Sequence, residues 1–560
     1  MRRTARSSPL LVVVFVFALA LPQVAFAQRL RPIPHPIGVM THPTAEAQAQ
    51  SQASSEVHAQ AKSAASSSAS ASPWTPLTNQ PNFLLDGASV PILLTDGSVL
   101  VQDAAFPDWW KLTPDKFGSY VNGTWSQIAS LPATYSPLYH SSAVLPDGRL
   151  IIEGGEYLLN ADQTALVSTW TAQGSIYDPV ANTWTPVAPP PFFTGFGPFP
   201  QTIGDAQSVV LPDGTYMQAN CCTIEEALLD AKTLTWTQTG SNKFDINDEE
   251  GWTLLPNGKV LTVDAYVPVG IPYIPDGTNS EIYNPHNGKW SSAGSTIVQL
   301  WDSNAACGGF TNNTTFEVGP GVLRPDGTVF YTGANTCPGA AGNTAIYNST
   351  TGKWTAGPQF PAPNNIADGP AALEPNGKVL MFASPSFGAP PGAFFEWDGH
   401  SLNAVPGTPN TPFDGSFVGN MLVLPTGQIL FTDFSNDVEI FTPTPGHPKN
   451  AEPTLLFTPI FLKRGGSYQA FGFQFNGVSQ GAAYGDDVQA ATNYPLVRIT
   501  NIINGHVQYT RTHDHSTMAV ASNGLVSTHF DVSASQEPCI CKLEVVANGI
   551  ASNPVFVFVQ

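Results

Sequence analysis

One phrase recurs seven times along the chain and limits what it can fold into more than any other feature. It reads LLTDGSVLV from Leu93, VLPDGRLII from Val144, VLPDGTYMQ from Val210 and LLPNGKVLT from Leu254. It returns as LRPDGTVFY from Leu323, LEPNGKVLM from Leu373 and VLPTGQILF from Val423. Each copy is an apolar strand, a turn whose glycine can take a positive φ, and a second alternating strand, which together predict a β-hairpin.

The turn glycines run from Gly97 through Gly148, Gly214, Gly258, Gly327 and Gly377 to Gly427, 330 residues over six intervals, or 55 each. That spacing matches a four-stranded propeller blade of the kelch type, whose period is about 50 residues. A tyrosine strand, a turn and a tryptophan strand follow most hairpins, as in IYDPVANTWTPV, IYNPHNGKWSSAG and IYNSTTGKWTAG. These predict the two outer strands of a blade, with the tryptophan packed between neighbours. The last hairpin lacks its tryptophan, and a spare one stands in SPWTPLT at Trp74. The N-terminal strand is therefore expected to complete the last blade and close the ring, which removes an exposed edge.

The expectation is an all-β chain: a seven-bladed kelch-type β-propeller over 73–444, followed by an immunoglobulin-like β-sandwich over 445–560. The last segment carries strand-like runs such as TLLFTPIFL, YPLVRIT and PVFVFVQ at sandwich spacing. A basic start, the apolar run LLVVVFVFALAL and VAFA before Gln28 predict a signal peptide over 1–27, hence a secreted protein, extracellular or periplasmic. An Ala, Ser and Gln-rich linker over 28–72 cannot build a core. No later apolar run reaches the length of a membrane span. The formal charge of −20 argues against nucleic acid and suits cations or neutral polar ligands.

Six cysteines in a chain bound for an oxidising compartment suggest disulfides. Cys307–Cys337 is the favoured pair, whereas Cys221-Cys222 and Cys539-x-Cys541 either bridge locally or stay thiols.

Just before the inner strand, six of the seven repeats carry carboxylates: Asp86, Asp205, the run Asp248-Glu249-Glu250, Glu317, Asp368 and Asp414. Inner strands surround a propeller axis, so these groups are expected at one mouth of the channel. Gathered carboxylates repel unless a cation, protons or donors stabilise them. The site reading takes Asp205, Glu249, Glu250, Glu317, Asp368 and Asp414 as ligand-binding; the competing reading makes each a turn cap. Calcium suits oxygen ligands alone; imidazoles from His140, His513 and His515 would favour a transition metal. Asp486-Asp487 on a polar loop either binds calcium or faces solvent. The aromatic runs Trp109-Trp110 and Pro189–Pro200 either stack on sugars or cover blade ends.

Nearly all of the mature chain after the linker resembles the galactose oxidase and glyoxal oxidase family. The match is carried by Tyr139-His140-Ser141-Ser142-Ala143, nine residues ahead of Gly148, and by Thr512-His513. The resemblance implies a copper on the axis, a catalytic radical tyrosine at Tyr139 and a histidine from the C-terminal domain at His513. The family's second tyrosine and histidine fall on Phe417-Val418, and its cross-linking cysteine has no counterpart in DGASVPILLTDG. The expectation is thus a relative without copper-radical chemistry that binds a carbohydrate-like or other polar ligand, with calcium or copper as the candidate divalent cation. The alternatives are a copper-dependent oxidase with a rearranged site and an extracellular protein-interaction module.

Overall fold

The computed structural model describes residues 72–83, 87–160, 165–195, 197–265, 278–302, 316–334, 339–385, 389–485 and 490–560. The signal peptide, nearly all of the linker, Asp86, the Cys307–Cys337 pair and Asp486-Asp487 lie outside them. The described residues are all-β, with no α-helix among them.

Each of the seven phrases forms the first two strands of an antiparallel meander. All seven turn glycines have φ between 77° and 90°. The loop closes by a backbone bond from the glycine N–H, as from Gly97 to the Leu94 carbonyl at 3.0 Å. The residue before the glycine is chosen for its side chain. Asp96, Asp147, Asp213, Asn257, Asp326 and Asn376 each accept the N–H of the residue after the glycine, at 2.9–3.1 Å.

The sheets follow in chain order, with inner strands Ala88–Leu93, Ser141–Val144, Ser208–Val210, Thr253–Leu254, Gly321–Leu323, Ala371–Leu373 and Asn420–Val423. The seventh takes its outer strand from the other end of the described chain: Trp74 to Pro76 pairs with Phe441 to Glu439. Tyrosine and tryptophan of the outer strands are cross-strand partners, Tyr177 with Trp184, Tyr283 with Trp290 and Tyr347 with Trp354.

The tryptophans also join the sheets. Trp184 donates its indole N–H to Ala129, Trp236 to Ala188, Trp290 to Glu226 and Trp354 to Ser280, each on or just after the preceding sheet. Trp74 reaches Pro406 after the sixth sheet, and Trp125 reaches Asn79 beside the seventh. Trp397 stacks on Phe330 of the fifth sheet, centroids 4.8 Å apart. One residue type at one repeat position thus supplies a seam for every joint.

Residues 454–559 form a nine-stranded sheet system around Val497, Phe530, Leu543 and Val557. It sits on the turn side of the meanders. Tyr509 packs on Gly97, Thr512 N–H bonds to Thr95, His515 N–H to Pro146 and Met518 N–H to Pro212. Bridges join Cys221 to Cys222 and Cys539 to Cys541.

Candidate functional site at the carboxylate mouth

The segment between strands Ser467–Phe473 and Leu496–Asn501 leaves the C-terminal sheets and runs among the inner strands. Gln480 Oε1 accepts the Leu254 N–H at 2.7 Å, and Ala482–Ala483 pairs antiparallel with Ala372–Ala371. Tyr484 donates its hydroxyl to the Phe417 carbonyl, and Tyr494, after the segment returns, donates to Leu93. With Val423 beside Gly481, and with small voids shared with Ser142, Ser208 and Val322, it meets the inner strands of all seven sheets. Its composition explains the passage: Gly481, Ala482, Ala483, Gly485, Ala490 and Ala491 are small enough for a channel already walled by side chains. The fit is closest at Gly251, where a Cβ would stand 1.8 Å from the Gly485 carbonyl oxygen.

Gly485 brings the segment to the end where the inner strands begin. A Cβ there would lie 3.5 Å from Asp368 Oδ1 and 3.0 Å from the Val318 carbonyl. The Val318 N–H bonds in turn to the Glu249 backbone carbonyl at 3.2 Å, and the Glu317 backbone carbonyl accepts the Asp302 N–H at 2.8 Å. Glu249, Glu317 and Asp368 are therefore neighbours around this point. Asp205, Glu249, Glu317 and Asp368 are all buried, and Asp414 is half-buried. Burial first, then Asp433, raises the Asp414 carboxyl to about 8, and burial raises Asp433 as well. Two carboxyls in contact share a proton near neutral pH, offering a donor beside acceptors.

Tyr139 stands at the same end, at φ 52°, just before the inner strand Ser141–Val144. Its ring lies 6.2 Å from that of Tyr157 and 6.4 Å from that of Phe434. His140 turns away from it, into the joint between the first two sheets. Its Nε2 is 3.0 Å from Gln102 Oε1 and its Nδ1 is 3.2 Å from the Ser141 carbonyl. Burial lowers its pKa to about 4.

The structure does not bring the three histidines together. His513 and His515 lie at the turn end, where the His515 N–H meets Pro146, seven residues of mostly extended chain or roughly 20 Å from Tyr139. Asp514 takes φ 50°, which breaks the alternation that would have aimed both imidazoles the same way. His513 Nδ1 faces Asp514 at 2.7 Å and its Nε2 faces Asp531 at 3.2 Å, while His515 Nδ1 faces Thr528 at 2.9 Å.

Glu250 also departs from expectation: Glu249 takes φ 60° ahead of the strand Thr253–Leu254, and Glu250 turns into the joint beside Lys243. It is wholly buried in a joint network that sequence reasoning missed. Lys243 Nζ lies 2.5 Å from Asp245, 3.0 Å from Glu250 and 3.1 Å from Glu281. Burial opposes the ammonium charge, yet Asp245, Glu250 and Asp264 hold the Lys243 pKa well above its ordinary value. Nothing in SNKFDINDEE distinguishes this lysine from a solvated loop residue.

The residues do not fit the copper site that the resemblance implies. Tyr139 is in place, but His140 has both nitrogens against protein acceptors, His513 is at the far end, and Phe417 and Val418 offer no side-chain lone pair. The axial position is taken by Tyr484 and Gly485.

No family model matches the chain. It is 29% identical over 143 residues to the Kelch-like protein terF of Aspergillus terreus, spanning 24% of this chain and about a quarter (26%) of that protein's length. Among solved structures it is similar to a fungal alcohol oxidase of the AA5 family in complex with copper (15% identity, 86% of each chain, TM-score 0.40). It is also similar to a streptogramin B lyase (11% identity, 66% of this chain and 96% of that one, TM-score 0.43). The sheet order and the tryptophan seams, with the Kelch-like likeness over a quarter of the chain, support a β-propeller fold of the kelch kind.

Proposed function

We propose that the chain is an exported seven-bladed kelch-type propeller with an immunoglobulin-like C-terminal domain, and that it binds a polar, carbohydrate-like ligand at the carboxylate mouth. Asp205, Glu249, Glu317, Asp368 and Asp414 form the binding set, with Tyr139 as an apolar and hydroxyl-bearing wall. The observation that carries this reading is the Gly485 junction, where the axial segment meets Asp368, Val318 and Gly251. It fills the channel below and leaves the mouth as the place where a ligand can meet several sheets at once. Carboxylates accept hydrogen bonds from sugar hydroxyls, and the Asp414–Asp433 pair supplies a donor. A calcium ion is compatible with this all-oxygen set.

The test is binding of neutral and acidic oligosaccharides to the purified protein, with and without calcium, by glycan array and calorimetry. Asp368→Asn and Asp414→Asn are expected to weaken binding at least about tenfold, a loss of one charged hydrogen bond of ~1.5 kcal/mol or more. Unchanged affinity in both variants rejects the mouth as the site. Stoichiometric copper with peroxide formation from alcohols or aldehydes would instead favour the oxidase reading.

A further inference from the structure

We infer that Cys221 and Cys222 form a redox-gated site for a thiophilic d10 cation such as zinc, with Asp248 as the third ligand. Asp248 Oδ1 lies 3.5 Å from Cys221 Sγ and 3.3 Å from Cys222 Sγ. Two ligands of one tetrahedral zinc, at about 2.3 Å for sulfur and 2.0–2.2 Å for oxygen, stand roughly 3.6 Å apart. The carboxylate oxygen is therefore already where a metal held by both sulfurs would need it. No other described group sets two sulfurs and a carboxylate within mutual ligand distance.

The surroundings favour a site over a chance contact. Cys221 is held by its N–H to Ile203 at 3.0 Å and by Thr202 Oγ1 to its carbonyl at 2.7 Å. The Thr223 N–H bonds back to Asn220 at 2.9 Å, so the backbone is fixed on both sides of the pair. A Cβ at Gly204 would stand 2.8 Å from Trp170 Cδ1 and 3.0 Å from Cys221 Cβ, so the indole and Cys221 flank the same glycine on an apolar side of the pair. Cys221 and Asp248 are buried, whereas Cys222 is half-exposed, leaving one sulfur open to a reductant.

Bridged, the two sulfurs share their electrons with each other and bind no cation strongly. A dithiol reductant attacks Cys222 Sγ as its thiolate; the sulfur–sulfur bond breaks and Cys221 leaves as thiolate. The reductant's second thiol then displaces Cys222 and departs as a cyclic disulfide. In all, two electrons and two protons pass to the protein pair. The freed sulfurs can separate to the ~3.8 Å that two zinc thiolates require. Metal binding then expels the two thiol protons.

The experiment uses full-length protein reduced with dithiothreitol, desalted without oxygen and titrated with cadmium, whose thiolate charge-transfer band reports sulfur ligation. Reduced wild type is expected to take up at least one more cadmium than the oxidised protein. One equivalent of that uptake is lost in the Cys221→Ala/Cys222→Ala variant, whose Cys539 and Cys541, reduced by the same treatment, report any uptake at the other pair. Asp248→Asn is expected to bind that cadmium at least tenfold more weakly. Circular dichroism checks that each variant is folded; if the double variant is not, the oxidised and reduced wild type and Asp248→Asn still decide. Equal uptake by oxidised and reduced wild type, or undiminished affinity in Asp248→Asn, overturns the assignment. Neither result bears on oligosaccharide binding.

Discussion

Trp290 donates its indole N–H to both carboxyl oxygens of Glu226, at 2.7 and 2.9 Å, across the joint between the third and fourth sheets. Elsewhere the same repeat position of tryptophan uses a backbone carbonyl or a serine hydroxyl, except at Trp397, which stacks on Phe330. Here the acceptor titrates: burial raises Glu226 from 4.5 to about 8, with the Trp290 bond pulling the other way.

Such a group binds its proton more tightly when folded, so its contribution is full below about pH 4.5. It is lost as pH rises towards about 8. Glu226→Gln keeps an acceptor for Trp290 and removes the titration. The variant is expected to melt several degrees above wild type at pH 8 and to differ little at pH 5, read by calorimetric scans. A constant offset across that range would show that Glu226 is not the titrating group.

Lys243 is the cation of a joint otherwise filled with Asp245, Glu250, Asp264 and Glu281. Removing one partner of a buried ionic cluster costs about 3–5 kcal/mol, because the remaining charges lose their counter-ion. Lys243→Met should lower the urea midpoint accordingly, and less at acid pH, where the carboxylates take up protons. A loss below about 1 kcal/mol would mean that the cluster is already neutralised.

Gly251 and Gly485 touch where the axial segment meets the mouth. Gly251→Ala puts a methyl against a backbone oxygen that cannot rotate away. Overpacking of this kind costs about 1–3 kcal/mol. Hydrogen exchange should rise along 479–485 and 490–494 before it rises elsewhere. Gly524→Ala, whose Cβ meets only Ser522 Oγ at 3.7 Å, is the near-neutral control.

His140 and His515 are pushed by burial to about 4 and about 3 from 6.5. Depressed imidazoles add stability above pH 6.5 that is lost as pH falls through the folded values. His140→Gln should therefore flatten part of the acid limb of the melting profile without changing metal content. A drop in bound copper in that variant would instead restore His140 as a ligand.

The hairpins were legible because their causes are local. An Asp or Asn side chain that caps the turn recurs in six of the seven phrases and a glycine at positive φ in all seven, and both act within five residues. Trp74 could be assigned to the seventh sheet by counting, since each joint needs one tryptophan. The sequence places a carboxylate ahead of six of the seven inner strands, but nothing in it shows that Glu250, beside Asp248 and Glu249, turns into the joint with Lys243. His140 looked like half of a pair with Tyr139. Tyr139 takes φ 52° between the strands Pro137–Leu138 and Ser141–Val144, so the two side chains part company, and only the position of Gln102 shows where the imidazole went.

By itself the sequence determined the repeat, the turn chemistry and the closing strand, all set by short-range bonding and period. Tertiary structure decided what fills the axis, which carboxyls meet and which histidines do not. Those outcomes depend on residues hundreds of positions apart, such as Gly251 against Gly485, and on burial that turns Lys243 from a loop residue into a counter-ion. Alignment of distant side chains is a property of the closed ring, and no local pattern encodes it.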